Sequence, residues 1–366
     1  MMNSGRTLKS EFSGRKVLIT GNTGFKGSWL TYWILQLGAE VAGYSDEEKT
    51  TPSLYEELNL SNQITQYTGD ISDLDLLKNS IEEFRPDFIF HLAAQSIVST
   101  SIESPLKTFQ TNTLGTITLL EVIRVTNFEG VAILITSDKC YENDERMSGY
   151  IETDRMGGKD PYSASKGAAE IAISAYLRTF FSSDHPARIG IGRAGNVIGG
   201  GDWNENRIIV DCVKAWQSGK PVSLRNPDST RPWQHVLEPL SGYLQLAAKL
   251  SQGTINSGEA FNFGPQPDKV FTVYEIVQRL ASYWPNCPGL VESRTKTFVA
   301  GTEAVLLSLD CDKALHELGW QSSLEISECL SLTSEWYLAH REKMDLRELT
   351  SKQISFFQSK FEVANQ

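Results

Sequence analysis

Several classes of protein are excluded by what this sequence has little of. Its 366 residues include only 5 cysteines, an odd number (Cys140, Cys212, Cys287, Cys311 and Cys329), far apart and without a CxxC pair. Such usage argues against a disulfide framework and reads as reduced thiols in a cytoplasmic protein. Cys140 is set apart only by its place beside Lys139. The 5 histidines show no HxxxH or HxH spacing, so no metal site is expected. Positive charge is in deficit: 34 Lys and Arg face 45 Asp and Glu, a net charge of -11. No broad basic face for nucleic acid or an anionic membrane is expected. No stretch approaches the ~20 apolar residues of a bilayer span. Met1 to Lys16 lacks the apolar run of a signal peptide. No internal repeat or low-complexity linker appears.

What the chain does have is alternation. Lys16-Val17-Leu18-Ile19-Thr20 is a short β-branched run that predicts a buried parallel strand. Residues 28–37 predict a helix with Trp29, Leu30, Trp33, Ile34 and Leu37 on one face. Gly38 ends it, and 40–44 predict a second strand. Helices over 74–84, 113–125 and 164–181 then alternate with strands over 86–92, 130–136 and 187–192. This repetition predicts an α/β fold, a Rossmann-like doubly wound parallel sheet. The second half is less regular, with helices over 208–218, 239–251 and 273–283, turns at 199–202 and 226–229, and a loop over 262–267. It predicts a smaller mixed α/β C-terminal lobe over the strand ends. The polar tail beyond Lys343 is expected to be loosely held.

A glycine-rich loop follows the first strand: Thr20-Gly21-Asn22-Thr23-Gly24-Phe25-Lys26-Gly27. Its first glycine permits a tight turn, its second lets the backbone approach a pyrophosphate, and its third lets helix pack on strand. A diphosphate would sit at the helix N-terminus, where free N–H groups and the dipole favour anions. Strand before and helix after are the context this motif requires, and they point to a dinucleotide. Asp46, beside Ser45 just past the second strand, stands where an acidic residue holds the ribose hydroxyls. No Arg follows at once to take a 2′-phosphate, so NAD is expected rather than NADP. Asp70, followed by Ile71, could bond an adenine amino group or cap a helix. Lys26 could neutralise phosphate or cover the helix face with its stem. The expected division is an NAD-binding domain over 1–192 and, over 193–366, mainly a substrate lobe, with some segments returning to the first domain.

Downstream lie the reacting groups. Tyr162 and Lys166 are four residues apart at the start of a helix and share a face. An ammonium beside a phenol favours phenolate, which can take a proton from a sugar hydroxyl as hydride leaves the same carbon. Ser137-Asp138-Lys139 adds a hydroxyl, a carboxyl and an amine. Together these are more acid/base groups than plain hydride transfer needs, and they suggest oxidation, loss of water and return of the hydride. On an extended strand Asp138 and Lys139 would point to opposite faces, which counts against a simple ion pair.

The chain resembles the extended short-chain dehydrogenases/reductases through TGNTGFKG (20–27), HLAAQ (91–95), TNTLGT (111–116) and YSASK (162–166). More narrowly, TGFKGSWL (23–30), TSDKCYEN (136–143), RAGNVIGGGDW (193–203) and RPWQHVLEPLSGYL (231–244) resemble the CDP-glucose 4,6-dehydratases. The resemblance implies a lyase with tightly held NAD that converts a nucleotide sugar, CDP-glucose, to its 4-keto-6-deoxy form. It implies that Gly21 to Gly27, Ser45, Asp46, Asp70, Ile71, Leu92, Ala93, Ala94, Gln95, Thr111, Tyr162 and Lys166 bind the cofactor. Tyr162 would take the C4 hydroxyl proton with help from Ser137. Asp138, protonated, would be the acid at C6, and Lys139, neutral, the base at C5. In related dTDP-glucose dehydratases a Glu stands at the position of Lys139. Gln95, Ser137, Asn196, Arg207, Arg225 and Arg231 would contact substrate. Trp203 and Trp233 either stack on the base or fill the lobe. The resemblance further implies a homodimer or homotetramer paired through 113–125 and 164–181, and by analogy a place in bacterial surface-sugar synthesis. Two other readings stay open, another nucleotide-sugar dehydratase or 4-epimerase of the superfamily and a non-catalytic NAD-binding sensor.

Overall fold

The computed structural model describes residues 7–46, 50–146, 148–181, 184–224, 226–266, 271–292 and 307–364. Seven strands form the central sheet: β1 (Lys16–Thr20), β2 (Glu40–Ser45), β3 (Thr65–Thr68), β4 (Phe88–His91), β5 (Val131–Ile135), β6 (Arg188–Ala194) and β7 (Ala260–Phe263). Their spatial order is β7-β6-β5-β4-β1-β2-β3, every neighbouring pair parallel. A parallel sheet must be covered on both sides, which is why β1 and β5 are apolar along almost their whole length. Alternate residues divide between the layers. Val17 and Ile19 join the cluster under α1 (Phe25–Gln36), whereas Leu18 joins the one under α2 (Leu74–Phe84), α3 (Gly115–Val125) and α4 (Pro161–Thr179). The chain adds β2 and β3 on one side of β1, then β4 on the other. That reversal opens a crevice at the C-terminal strand ends, where ligands of such sheets bind. The expected doubly wound sheet is the fold observed.

The second half supplies α5 (Ile208–Gln217), α6 (Leu237–Ser251), α7 (Val273–Ser282), α8 (Ile326–Arg341) and α9 (Leu346–Ala364). α6 packs beneath β5 and β6, on the same side as α1.

Three local expectations are corrected. α1 starts at Phe25 and α4 at Pro161, each three residues earlier than the apolar pattern suggested. In α4 the Asp160 carboxylate caps the Ser163 N–H, and proline suits the first turn. The loop expected over 262–267 begins inside β7, where Phe261 pairs with Gly192 and Phe263 with Ala194; residue 267 lies outside the described residues. The described part of the tail beyond Lys343 is mostly the packed helix α9, not a loose segment. Its Ile354, Phe357 and Phe361 recur at helical spacing and are buried, with Phe357 edge-on to Trp33 at 5.7 Å.

Candidate active site

A cleft of about 1550 Å³ runs along the C-terminal ends of the strands, from the turn after β1 to the end of β6. At one end lies the glycine loop. Gly21 has φ +73°, and a Cβ there would stand 2.7 Å from the Ala93 nitrogen. A Cβ on Gly27 would stand 2.0 Å from the Gly21 carbonyl oxygen, so the helix can approach the turn this closely only without a side chain. Gly24 caps α1 with no side-chain hydrogen bond, leaving the first-turn N–H groups at the cleft without a side-chain acceptor. This cradle fits a diphosphate. Thr23, Gly24, Phe25 and Lys26 border it. The Asn22 side chain does not: it turns under the loop and donates to Gln66 Oε1 at 2.7 Å.

Ser45, Asp46, Asp70, Ile71, Leu92, Ala93, Ala94, Gln95 and Thr111 line the cleft beyond the loop. Asp70 accepts from the Ser72 N–H and hydroxyl and pairs with Lys107 at 2.5 Å. Lys107 holds its carboxyl at about 2. The cap of α2 is Asp73, not Asp70.

The candidate reacting groups gather at the end of β5. Residues Asp138–Cys140 form a 3₁₀ turn, not the extended strand expected. Ser137 caps that turn, its Oγ accepting the Lys139 N–H at 3.2 Å and donating to Asp138 Oδ1 at 2.9 Å. Asp138 is buried beside Gly195, where a Cβ would stand 2.8 Å from its Oδ2. Burial raises its carboxyl pKa, against the pull of Lys139, the Ser137 hydrogen bond, Lys26 and Arg231. The Lys139 Nζ lies 5.9 Å from the Tyr162 ring centre.

Burial also pushes the Tyr162 phenol up to about 12, and the groups favouring phenolate are the Ser137 hydroxyl, by a side-chain hydrogen bond, and Arg207. Lys166, expected to act on the phenol, is itself lowered to about 8 by burial and donates to the Ile135 carbonyl at 3.3 Å. Lys26 is lowered to about 8, first by burial, then by Arg207. A hydroxyl, a carboxyl, a phenol and three amines thus share one water-poor corner, where proton transfers can be directed between fixed groups.

Asn196, Arg207 and Arg231 also line the cleft. Arg207 lies 3.9 Å from Asp202, and Arg231 donates to the Thr230 carbonyl. Arg225 lies outside the described residues. Trp203 and Trp233 reach the cleft edge, but both rings are buried in the core. Trp203 packs on Tyr337 and His340, and Trp233 donates to the Phe271 carbonyl at 3.1 Å.

Sequence reasoning passed over the support behind the turn. Arg193, buried near the end of β6, forms a two-pronged ion pair with Glu170 at 2.8 and 2.9 Å. Glu170 accepts from Thr136, and Arg193 donates to the Tyr141 hydroxyl at 2.8 Å. One guanidinium therefore holds both ends of the segment carrying Ser137, Asp138 and Lys139. The available signal was a charge at the end of an apolar strand, which needs a partner when buried.

A family model described as GDP-mannose 4,6 dehydratase matches residues 18–333. The chain belongs to this dehydratase family. It is 41% identical over 356 residues to the CDP-glucose 4,6-dehydratase of Salmonella typhimurium, covering 96% of this chain and 98% of the relative. It is 29% identical to the dTDP-glucose 4,6-dehydratase of Haemophilus influenzae, over 88% of this chain and 97% of the relative. Among solved structures, a dTDP-glucose 4,6-dehydratase from Streptomyces venezuelae, determined with NAD bound, has TM-score 0.75 at 23% identity, covering 91% of this chain and 99% of that one. This dehydratase-family chain has, among its described residues, no grouping of His, Cys, Asp and Glu that could hold a metal. Nor is any of its described helices long and apolar enough to cross a membrane.

Proposed function

We propose that the cleft carries out NAD-dependent dehydration of CDP-glucose to CDP-4-dehydro-6-deoxyglucose. The observation that carries this reading is Asp138 and Lys139 on the turn that also presents Ser137 to Tyr162. An epimerase needs the phenol but no acid and base for neighbouring carbons. The choice of cytosine as base, and of glucose as sugar, follows the 41% identity to the Salmonella enzyme.

When bound, NAD supplies the acceptor and donor of one hydride. Gly21 to Gly27 and the start of α1 would hold its diphosphate, and Ser45 and Asp46 its ribose. Tyr162 takes the proton of the C4 hydroxyl as hydride leaves C4, with Ser137 bonded to the same oxygen. The ketone acidifies C5. Lys139 removes the C5 proton and Asp138 protonates the departing C6 hydroxyl. Lys139 returns a proton to C5 as hydride arrives at C6. Arg207 and Arg231, by their charge, and Asn196, by its amide, would face the substrate diphosphate and ribose from the cleft lining. Residues 1–192 supply the cofactor half of this cleft and 193–366 most of the substrate half.

The test is to offer CDP-, dTDP-, GDP- and UDP-glucose in deuterated water. The expected product is a 4-keto-6-deoxy sugar deuterated at C5, formed fastest from the CDP sugar. Products with unlabelled C5 would overturn the elimination.

We further propose a homodimer through α3 and α4. Leu114 and Ile171 are exposed apolar residues, at 46% and 62%, just before α3 and on α4. Sedimentation should give a dimer that Ile171→Glu dissociates.

A further inference from the structure

Between β4 and α3 the chain makes an excursion that the proposed chemistry does not use. Residues 96–109 carry two short helical stretches, Val98–Glu103 and Pro105–Phe109. Ile97, Ile102, Ser104 and Lys107 border the same cleft as the glycine loop. The sheet order fixes where the excursion runs. It leaves the sheet after β4, and near its end Lys107 pairs at 2.5 Å with Asp70, in the loop after β3. β1 and β2 lie between β4 and β3. The excursion therefore spans the ends of the two strands that lead into the glycine loop and into Ser45 and Asp46.

Gln95 closes its base. Gln95 Oε1 accepts the Ile97 N–H at 2.5 Å, and Nε2 donates to the Ile97 carbonyl and to Thr108 Oγ1, each at 3.0 Å. One carboxamide thus ties the start of the excursion to its end, and both of its N–H donors are spent. The Gln95 backbone exchanges two hydrogen bonds with the Asn112 side chain, at 2.8 and 2.9 Å. Asn112 also donates to Ser165 Oγ at 2.9 Å, and Ser165 to the Tyr162 carbonyl at 2.7 Å. The base is thereby fixed to α4. The far end is held more lightly. Lys107 and Asp70 are 53% and 41% exposed, and a pair so exposed opens at small cost.

We propose that residues 96–109 are a strap that retains the dinucleotide, hinged on Gln95 and latched by Lys107 on Asp70. Gln95 and Asp70 are then positioning residues, which act on the cofactor through the strap. The proposal rests on the seat given to NAD at the glycine loop. A cofactor regenerated in each turnover need not leave, so a strap that slows its exchange does not slow the cycle.

The experiment loads the enzyme with NADH and follows the loss of bound-NADH fluorescence on mixing with excess NAD. Lys107→Met and Asp70→Asn should each release NADH about two- to fivefold faster than wild type. The double variant should release it no faster than either single one, because the same pair is broken once. Effects that multiply would make Lys107 and Asp70 independent contacts of the cofactor and overturn the latch. Unchanged release in both single variants would overturn it too. Gln95→Leu should release NADH at least about tenfold faster, with faster amide hydrogen exchange over 98–109 read by mass spectrometry. Faster release with that exchange unchanged would make Gln95 a direct contact and overturn the hinge. Wild-type enzyme that binds no NADH would instead defeat the seat itself.

Discussion

Asp138 and Gly195 are close neighbours: a Cβ at position 195 would stand 2.8 Å from the carboxylate Oδ2. The absence of a side chain at the end of β6 is what lets the acid lie where it does. Gly195→Ala should push the carboxyl aside while leaving the backbone in place. The nearest atom of any other residue, in Pro232, is 3.4 Å away. A displacement of this size should lower kcat by roughly 10–100-fold. KM and thermal midpoint should stay close to wild type. Steady-state kinetics and a melting curve check both; a matching fall in stability would mean that the fold, not the acid, had moved.

Asp138 also carries a cost in stability. Its carboxyl pKa is raised in the folded protein, so over that window the folded state binds more protons than the unfolded one. Stability contributed by the group therefore falls as pH rises from the ordinary carboxylate value, near 3.8, through the raised one. Asp138→Asn removes this penalty. It should abolish C5–C6 elimination yet unfold at a higher denaturant concentration at neutral pH. The advantage should shrink toward acidic pH, as measured by urea unfolding across the range.

Breaking the ion pair behind the turn should do the opposite. Glu170 and Arg193 are each about 5% exposed. Glu170→Gln leaves a guanidinium buried without its counter-charge, a loss of about 3–5 kcal/mol. Because Glu170 also accepts from Thr136, turnover should fall even in the fraction that remains folded. Denaturant titration together with active-site counting separates the two effects.

At the glycine loop, Gly27→Ala sets a methyl group 2.0 Å from the Gly21 carbonyl oxygen. The helix must retreat from the turn, which opens the diphosphate cradle. NAD affinity should weaken by about tenfold or more, read by fluorescence titration, with CDP affinity little changed. Equal weakening of both ligands would place the damage in the whole cleft.

The sheet and the loop were legible because their signals are local. A β-branched run, a glycine triplet and an apolar helix face each lie within a dozen residues. The proposed reacting groups were also readable as types, since Ser137, Asp138, Lys139, Tyr162 and Lys166 stand in two short strings. Their electrostatics were not. Lys166 was expected to depress the Tyr162 phenol, but burial dominates both, and burial is set by α6 and the distant loops that close the corner. The network from Glu170 through Arg193 to Tyr141 and Asn262 was invisible for the same reason: Tyr141 and its acceptor Asn262 are 121 residues apart. The helix after Lys343 was hidden by polar composition, because only a narrow stripe of it is apolar.

That long separation has a consequence for assembly. The diphosphate cradle needs β1, α1 and the turn after β4, all supplied by the first hundred residues. The Tyr141 hydroxyl meets Asn262 only once β7 has docked on the sheet edge, and pairings so distant in sequence form slowly. The parts of the candidate diphosphate cradle thus lie close together in sequence, whereas the turn carrying Ser137, Asp138 and Lys139 draws its support through Tyr141 from a strand more than a hundred residues away.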